Sequence, residues 1–407
     1  MILLYIDPAS TSALLYIIIA IGATLAFTLK GSFYRIINFA KGKGFKNNYD
    51  FEGHDILFYS EGKQYWNVFL PVIQALEKKN VPCGYLTSDE NDPGLSYKSP
   101  LVKAKYIGNL TMTSVYLNKL EAKFVGMTTP QLDVMMIRRS KKVDHYGHIV
   151  HAPIDIFSYR KFAFDYFDSV FCSGYHQIEG IRKLEEKRGT KKKLLLKSGL
   201  TYYDVMLEHN KKNGFAKLDK KVVLVAPTWK DYSILNRFGV RFFDNLLQDT
   251  DFDVILRPHP QSYVSYPEII GEIEKNFESE PRFSVDRNPL GNESMKKSSV
   301  MISDLSGVIW DYAFLYSKPV LLLKTNADAM LGFEGSELDY EMWEMRERHR
   351  LGKNFDENDI DNIGAIVTET IKNPSVNALE TLRDESVYNF GKAGETVANQ
   401  IIEIVNK

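Results

Sequence analysis

Cysteine is nearly absent from this 407-residue chain: Cys83 and Cys172 are its two, and no C-x-x-C pair exists. That excludes a disulfide framework and suits a reducing compartment. An excess of charge of one sign is lacking too. With 51 Lys and Arg against 52 Asp and Glu, the formal charge is −1, which leaves no whole-molecule attraction for nucleic acid. There are no repeats or low-complexity tracts, and 13% aromatic residues set the chain apart from disordered sequences. Charge is also missing from one long stretch, Thr11 to Leu29, where "ALLYIIIAIGATLAF" is apolar almost throughout. A helix over 11–29 would rise about 28 Å, close to the ~30 Å of a bilayer's hydrocarbon core. Only Asp7 precedes it, while Lys30, Arg35, Lys41, Lys43 and Lys46 follow. The positive-inside rule then predicts a single-pass anchor in the cell's inner membrane, with the remaining chain cytoplasmic. A signal peptide would carry its basic residues on the other side. A buried soluble helix is the alternative.

Beyond the anchor, strand-like apolar runs alternate with helix-length amphipathic segments, the pattern of parallel sheets with crossover helices. A first series holds "DILFYS" (55–60), "VPCGYLTS" (81–88), "KFVGMTT" (123–129), "GHIVHAP" (147–153) and "DSVFCSG" (168–174). A second, after the lysine-rich turn at 187–193, holds "LLLKSG" (194–199), "KVVLVAPTW" (221–229), "DVILRPHP" (253–260), "VMISD" (300–304) and "KPVLLLK" (318–324). The polar stretch from about Leu207 to Lys221 reads as a linker between two α/β halves. Two amphipathic helices at 359–373 and 394–407 could pack on either half.

In open parallel sheets, ligands bind beyond the carboxyl ends of the strands, where helix N-termini offer unpaired N–H groups. Three loops in the second half follow such ends: Pro227-Thr228-Trp229-Lys230, Arg257-Pro258-His259-Pro260 and Ser303-Asp304-Leu305-Ser306-Gly307. Each carries groups suited to phosphate: hydroxyls, a guanidinium, an imidazole, or amides freed by small residues. The 303–307 turn could equally be ordinary N-capping by Ser303, Asp304 or Ser306. Beside "RPHP", whose two prolines fix the backbone of His259, the anion reading is preferred.

The first half offers His145, His148 and His151 in "DHYGHIVHAPID". Strand geometry would point His148 and His151 to opposite faces, and no H-E-x-x-H pattern helps, so no metal is expected. His151, at a strand's carboxyl end, is placed as a general base. Asp155 could orient it or only start the next helix. Asp251 and Asp253 resemble a metal pair but precede their strand, at the wrong end of the sheet. Arg138, Arg139, Lys141 and Lys142 could meet anionic lipid, or be solvated surface.

Taken together, "VLVAPTWKD" (223–231), "ILRPHP" (255–260) and "ISDLSGVIWDYAFLYSKPVLLL" (302–323) resemble the CDP-glycerol:poly(glycerophosphate) glycerophosphotransferase family, the teichoic-acid primases and polymerases. "VHAPIDI" (150–156) stands where that family has His-Gly-Thr-Pro, and "SDLSG" where it has Ser-Asp-Tyr-Ser-Ser. The resemblance implies a GT-B-like α/β fold: two Rossmann-like domains with parallel sheets facing a cleft, preceded here by the transmembrane helix. The expected organisation is an anchor with its basic flank at 1–46, an acceptor domain at 50–206, a CDP-donor domain at 221–390 and a final helix at 391–407. It further implies transfer of a polyol phosphate from a CDP-polyol to a hydroxyl of a lipid-linked glycan, with CMP leaving and no cofactor required. His151 and His259 would be catalytic. Thr228, Arg257, Ser303, Asp304, Ser306 and Gly307 would hold the donor's nucleotide and phosphates.

Two rivals share these loops. One is a GT-B glycosyltransferase using a UDP-sugar or CMP-sugar. The other is a non-catalytic, membrane-tethered nucleotide-binding scaffold with a degenerate site.

Overall fold

Short apolar runs such as Val222–Val225 and Val320–Leu323 are buried along their whole length, as strands covered on both faces require. A computed structural model describes residues 51, 53–214, 220–288, 292–325, 333–374 and 376–407. Within it, His54–Lys407 forms one unit built on two parallel sheets. The apolar run at 11–29 lies outside the described residues. Among those described, no helix is long and apolar enough to cross a membrane.

The first sheet contains β1 (Ile56–Ser60), β2 (Cys83–Thr87), β3 (Val102–Tyr106), β4 (Glu121–Met127), β5 (Lys142–Ile149), β6 (Ser169–Cys172) and β7 (Leu194–Lys197). Its strand order is β3-β2-β1-β4-β5-β6-β7, so "LLLKSG", grouped by sequence with the second series, pairs instead with β6 at the edge of the first sheet. The second contains β8 (Val222–Val225), β9 (Asp253–Leu256), β10 (Phe283–Val285), β11 (Val300–Ser303), β12 (Val320–Leu323) and β13 (Asn354–Phe355), ordered β10-β9-β8-β11-β12-β13. Every strand pairing is parallel. In each sheet the direction of winding reverses once, between β1 and β4 and between β8 and β11. A doubly wound sheet opens its ligand crevice at those points.

Helices cover both faces. Trp66–Lys78 (α1) continues through Pro71 and buries Val68, Phe69, Val72 and Ile73 against the first sheet. Leu110–Leu117 (α2) carries the chain from β3 to β4, and Tyr175–Arg188 (α3) from β6 to β7. Thr201–Asn213 (α4) occupies much of the stretch expected to be linker. Ile234–Asp249 (α5) and Val308–Tyr316 (α6) follow β8 and β11. Ala393–Val405 (α7) returns to the first sheet, where Val397, Ala398 and Ile401 join the core around Phe69. Gly394 makes that return possible, because a Cβ there would come within 2.4 Å of the Pro71 Cβ. The sequence left the partner of this helix open, since an amphipathic face does not say which core it meets.

The segment between β12 and β13 leaves the second sheet and grips the first half. Arg188 pairs with Asp165, Glu334 and Glu337, with its side chain only 9% exposed. The Asp155 carboxylate accepts from Trp343 N at 3.1 Å and Tyr340 Oη at 3.3 Å. His176 stacks on Trp343, which packs on Trp310 of α6, with both ring pairs at 4.3 Å.

Candidate functional site

At the β8–β11 crevice, two side chains lace adjacent loops together. Ser303 Oγ donates to Ala226 O at 2.6 Å. Asp304 accepts from Thr228 N at 2.7 Å through one oxygen and from Ile234 N at 3.1 Å through the other. Both residues are fully buried. Ile234 is the first residue of α5, so the Asp304 carboxylate also meets the positive end of that helix. Burial pushes the Asp304 carboxyl up to about 6, against the pull of those two N–H groups and of Arg348. Ser303 and Asp304, expected to meet phosphate, both bond neighbouring backbone in this fold. Their side chains thereby shape the loop between β11 and α6. Thr228 is buried and offers its backbone N–H to Asp304.

Arg257 likewise bonds within the fold. Its Nη1 donates to Asp286 Oδ2 at 2.9 Å and to Asn288 O at 2.6 Å, so it pins the loop after β10. His259 stands exposed at the end of β9, next to β8 in the sheet. Its Nδ1 accepts from Gln261 N at 3.1 Å. The neutral ring therefore carries its proton on Nε2, leaving that nitrogen as a donor. Partial burial lowers its pKa, which favours that neutral form. Ser306 is half-buried and Gly307 exposed, immediately before α6.

At the matching crevice of the first sheet, His151 follows β5 by two residues. Tyr65, just before α1, sets its ring edge-on to the imidazole at 4.9 Å. Burial pushes His151 down to about 4 and keeps it neutral, the form that accepts a proton. Its Nδ1 has no partner among the described residues, nor have the buried hydroxyls of Thr128 and Thr129 at the end of β4. Gln177, buried in α3, donates to Ala152 O at 3.2 Å and to Ile154 O at 2.8 Å, which fixes the loop carrying His151. His148 is fully buried in an aromatic box of Tyr159, Phe164 and Phe167.

Asp155 takes the second of its two expected tasks. It caps the turn at Ile156–Ser158, accepting from Ile156 N at 2.6 Å, and gives its other bonds to Trp343 and Tyr340. It does not orient His151. Glu344 accepts from Asp155 N at 3.0 Å, and burial together with the Asp155 charge pushes its carboxyl up to about 8.

The two crevices face each other. A Cβ built on Gly307 would find one neighbour within 4 Å, the Ile154 Cγ2 at 3.8 Å. The 303–307 turn and the loop bearing His151 thus come together as adjoining walls of the candidate site. Asp251 and Asp253 lie at the amino end of β9, beside a hollow lined by Asp249, Thr250 and Arg282, away from these walls. Sequence reasoning missed Tyr65, Gln177 and Arg348. A tyrosine before a helix, a glutamine in a charged helix and an arginine in "RERHR" belong to no motif that marks a site.

Residues 177–345 match the sequence profile of the CDP-Glycerol:Poly(glycerophosphate) glycerophosphotransferase family. No curated protein matches the chain. Among solved structures, the wall teichoic acid polymerase TagF, in a histidine-to-asparagine variant, aligns at TM-score 0.60 and 14% identity, covering 94% of this chain and 98% of that one. UDP-GlcNAc 2-epimerase from Neisseria meningitidis bound to UDP-GlcNAc aligns at TM-score 0.56 and 16% identity, over 86% and 99%. S. aureus MnaA with UDP aligns at 0.54 and 15%, over 86% and 96%. These likenesses show a shared α/β architecture with parallel sheets. The family match over residues 177–345 contains Gln177, Thr228, His259 and the 303–307 turn, and it marks the chain as a transferase.

Proposed function

We propose that the chain transfers glycerol phosphate, or a similar polyol phosphate, from a CDP-polyol to a hydroxyl of a lipid-linked glycan. We place it at the cytoplasmic face of the inner membrane, anchored through residues 11–29. The observation that supports this reading is the approach of Ile154, three residues after the neutral His151, to Gly307 in the turn before α6. The second half holds the donor. His259 Nε2–H and the amino end of α6 face its diphosphate, where donors already fixed in place stabilise charge without reorganising.

The acceptor hydroxyl then attacks the β-phosphorus. The new O–P bond forms as the bond to the CMP oxygen breaks, and His151 takes the hydroxyl proton. A diphosphate in the cleft raises the proton affinity of the buried imidazole, so donor binding strengthens the base. An anchor at 11–29 would concentrate the enzyme around a lipid-linked acceptor.

Calorimetric titration with CDP, CMP, UDP and GDP tests the reading. The expected result is preference for CDP, weakened about tenfold or more in His259→Ala and unchanged in His151→Ala, which loses turnover instead. Preference for UDP would make the chain a sugar transferase. No binding by folded protein would leave a scaffold.

A further inference from the structure

Large apolar side chains left in solvent gather on one face of the first sheet. The crossovers from β3 to β4, β4 to β5 and β5 to β6 all step the same way across the strand order. Right-handed connections therefore carry all three over the same face. They bear Met112 (50% exposed), Met135 (57%), Met136 (50%) and Tyr166 (49%).

The methionine pair is held out by a built turn. Gln131 and Asp133 adopt positive φ of 62° and 61°, a strained conformation for residues with a Cβ. Asp133 N donates to Ile137 O at 2.8 Å, with Met135 and Met136 inside the closed turn, and Arg138 Nη1 donates back to Asp133 O at 2.7 Å. Arg138 N bonds Asn118 Oδ1 at 3.0 Å, at the end of α2. Arg139 Nη1 bonds Tyr166 O at 2.5 Å. The three crossovers thus form one continuous surface.

We propose that this face rests on a lipid bilayer, with Met135 and Met136 entering the interface and Arg138, Lys141 and Lys142 meeting anionic headgroups. From 138 to 142 the sequence carries four basic residues and no acid. The side chains of Arg138 and Lys142 are 58% and 67% exposed. Their ion pairs to Asp133 and Glu121 are solvent-facing, hence weak enough to yield to phosphate. Tyr166 has the amphipathic ring found at headgroup depth. The apolar groups stand on separate crossovers rather than along one element, which suits lipid better than a docked peptide helix. The described chain enters the sheet at Asp55, paired with Lys123 at the start of β4, on the same edge as Lys142. The inference rests on the membrane-anchored reading above and adds the surface that would set the cleft's orientation.

Cys83 and Cys172 are fully buried, so one introduced cysteine can be labelled in the full-length chain. Met135→Cys carrying an environment-sensitive fluorophore is placed in nanodiscs of phosphatidylglycerol and phosphatidylcholine. The emission is expected to move to the blue and to be quenched about twofold by nitroxide-labelled acyl chains. Val264→Cys, 73% exposed in the second half, serves as the aqueous reference. Combining Arg138→Glu, Lys141→Glu and Lys142→Glu should return position 135 towards that reference. A chain that joins nanodiscs while position 135 stays aqueous sinks this surface alone. A chain that does not join them at all sinks the anchored reading with it. Nucleotide preference, measured on the same samples, reports the transferase reading separately.

Discussion

The two crevices follow one topological rule and are finished in opposite ways. At β8–β11, Ser303 and Asp304 are consumed in joining adjacent loops, so what remains for a ligand is backbone, Ser306, Gly307 and His259. At β1–β4–β5, buried polar groups stay unspent: His151 Nδ1 and the hydroxyls of Thr128 and Thr129. A rigid backbone cradle suits an anion of fixed shape such as a diphosphate. Unpaired buried hydroxyl and imidazole groups, each costly while unmet, suit a polar guest that satisfies them on arrival.

The strongest blow to that contrast would be aimed at Asp304. Asp304→Ala strands two buried N–H groups, and a loss of roughly 2–4 kcal/mol is expected. Thr128→Val, which removes a hydroxyl with no partner, should be neutral or mildly stabilising. Urea melts of both variants decide it; equal losses would erase the distinction. CDP binding should fall with Asp304→Ala and hold with Thr128→Val.

The pH profile sharpens the first-half side. Protonation of His151 removes the base, so kcat/KM falls as pH drops. With burial holding the group at about 4, the acid limb should lie well below that of an exposed imidazole near 6.5. Profiles of wild-type and His151→Gln protein, fitted for the free enzyme, test the assignment. A limb at 6.5 would mean that the ring is solvated in the working enzyme.

The smallest expected effect is at the wall between the crevices. Gly307→Ser should be accommodated, since the new Cβ meets only Ile154 at 3.8 Å and the backbone φ of −62° suits any residue. A stability change within about 0.5 kcal/mol and a small gain in CDP affinity are expected from thermal melts and calorimetry. A large loss would show that the walls close more tightly than this geometry has them.

Much of the site was legible in the sequence because strand ends are punctuated. "VAPTW", "RPHP" and "SDLSG" each follow an apolar run, and each loop stands where that run predicts. The task of each side chain was less legible. Ser, Asp and Arg beside a phosphate loop look the same whether they touch the ligand or hold the loop, since the same hydrogen-bonding chemistry serves both. Asp304, Ser303, Arg257 and Asp155 each bond backbone groups within the fold. Gln177 escaped notice because its partners, Ala152 and Ile154, are distant in sequence and offer only carbonyls, which leave no signature in residue type.

Alternation of apolar runs with amphipathic helices, a local property, by itself determined the parallel α/β architecture and the loops that bear chemistry. Tertiary structure alone decided three matters: which polar groups were consumed in buried bonds, which half received α7, and which face kept its methionines in solvent. Each depends on what stands across a gap from a residue. That neighbour is set by packing between segments tens to hundreds of residues apart, as between Asp155 and Trp343.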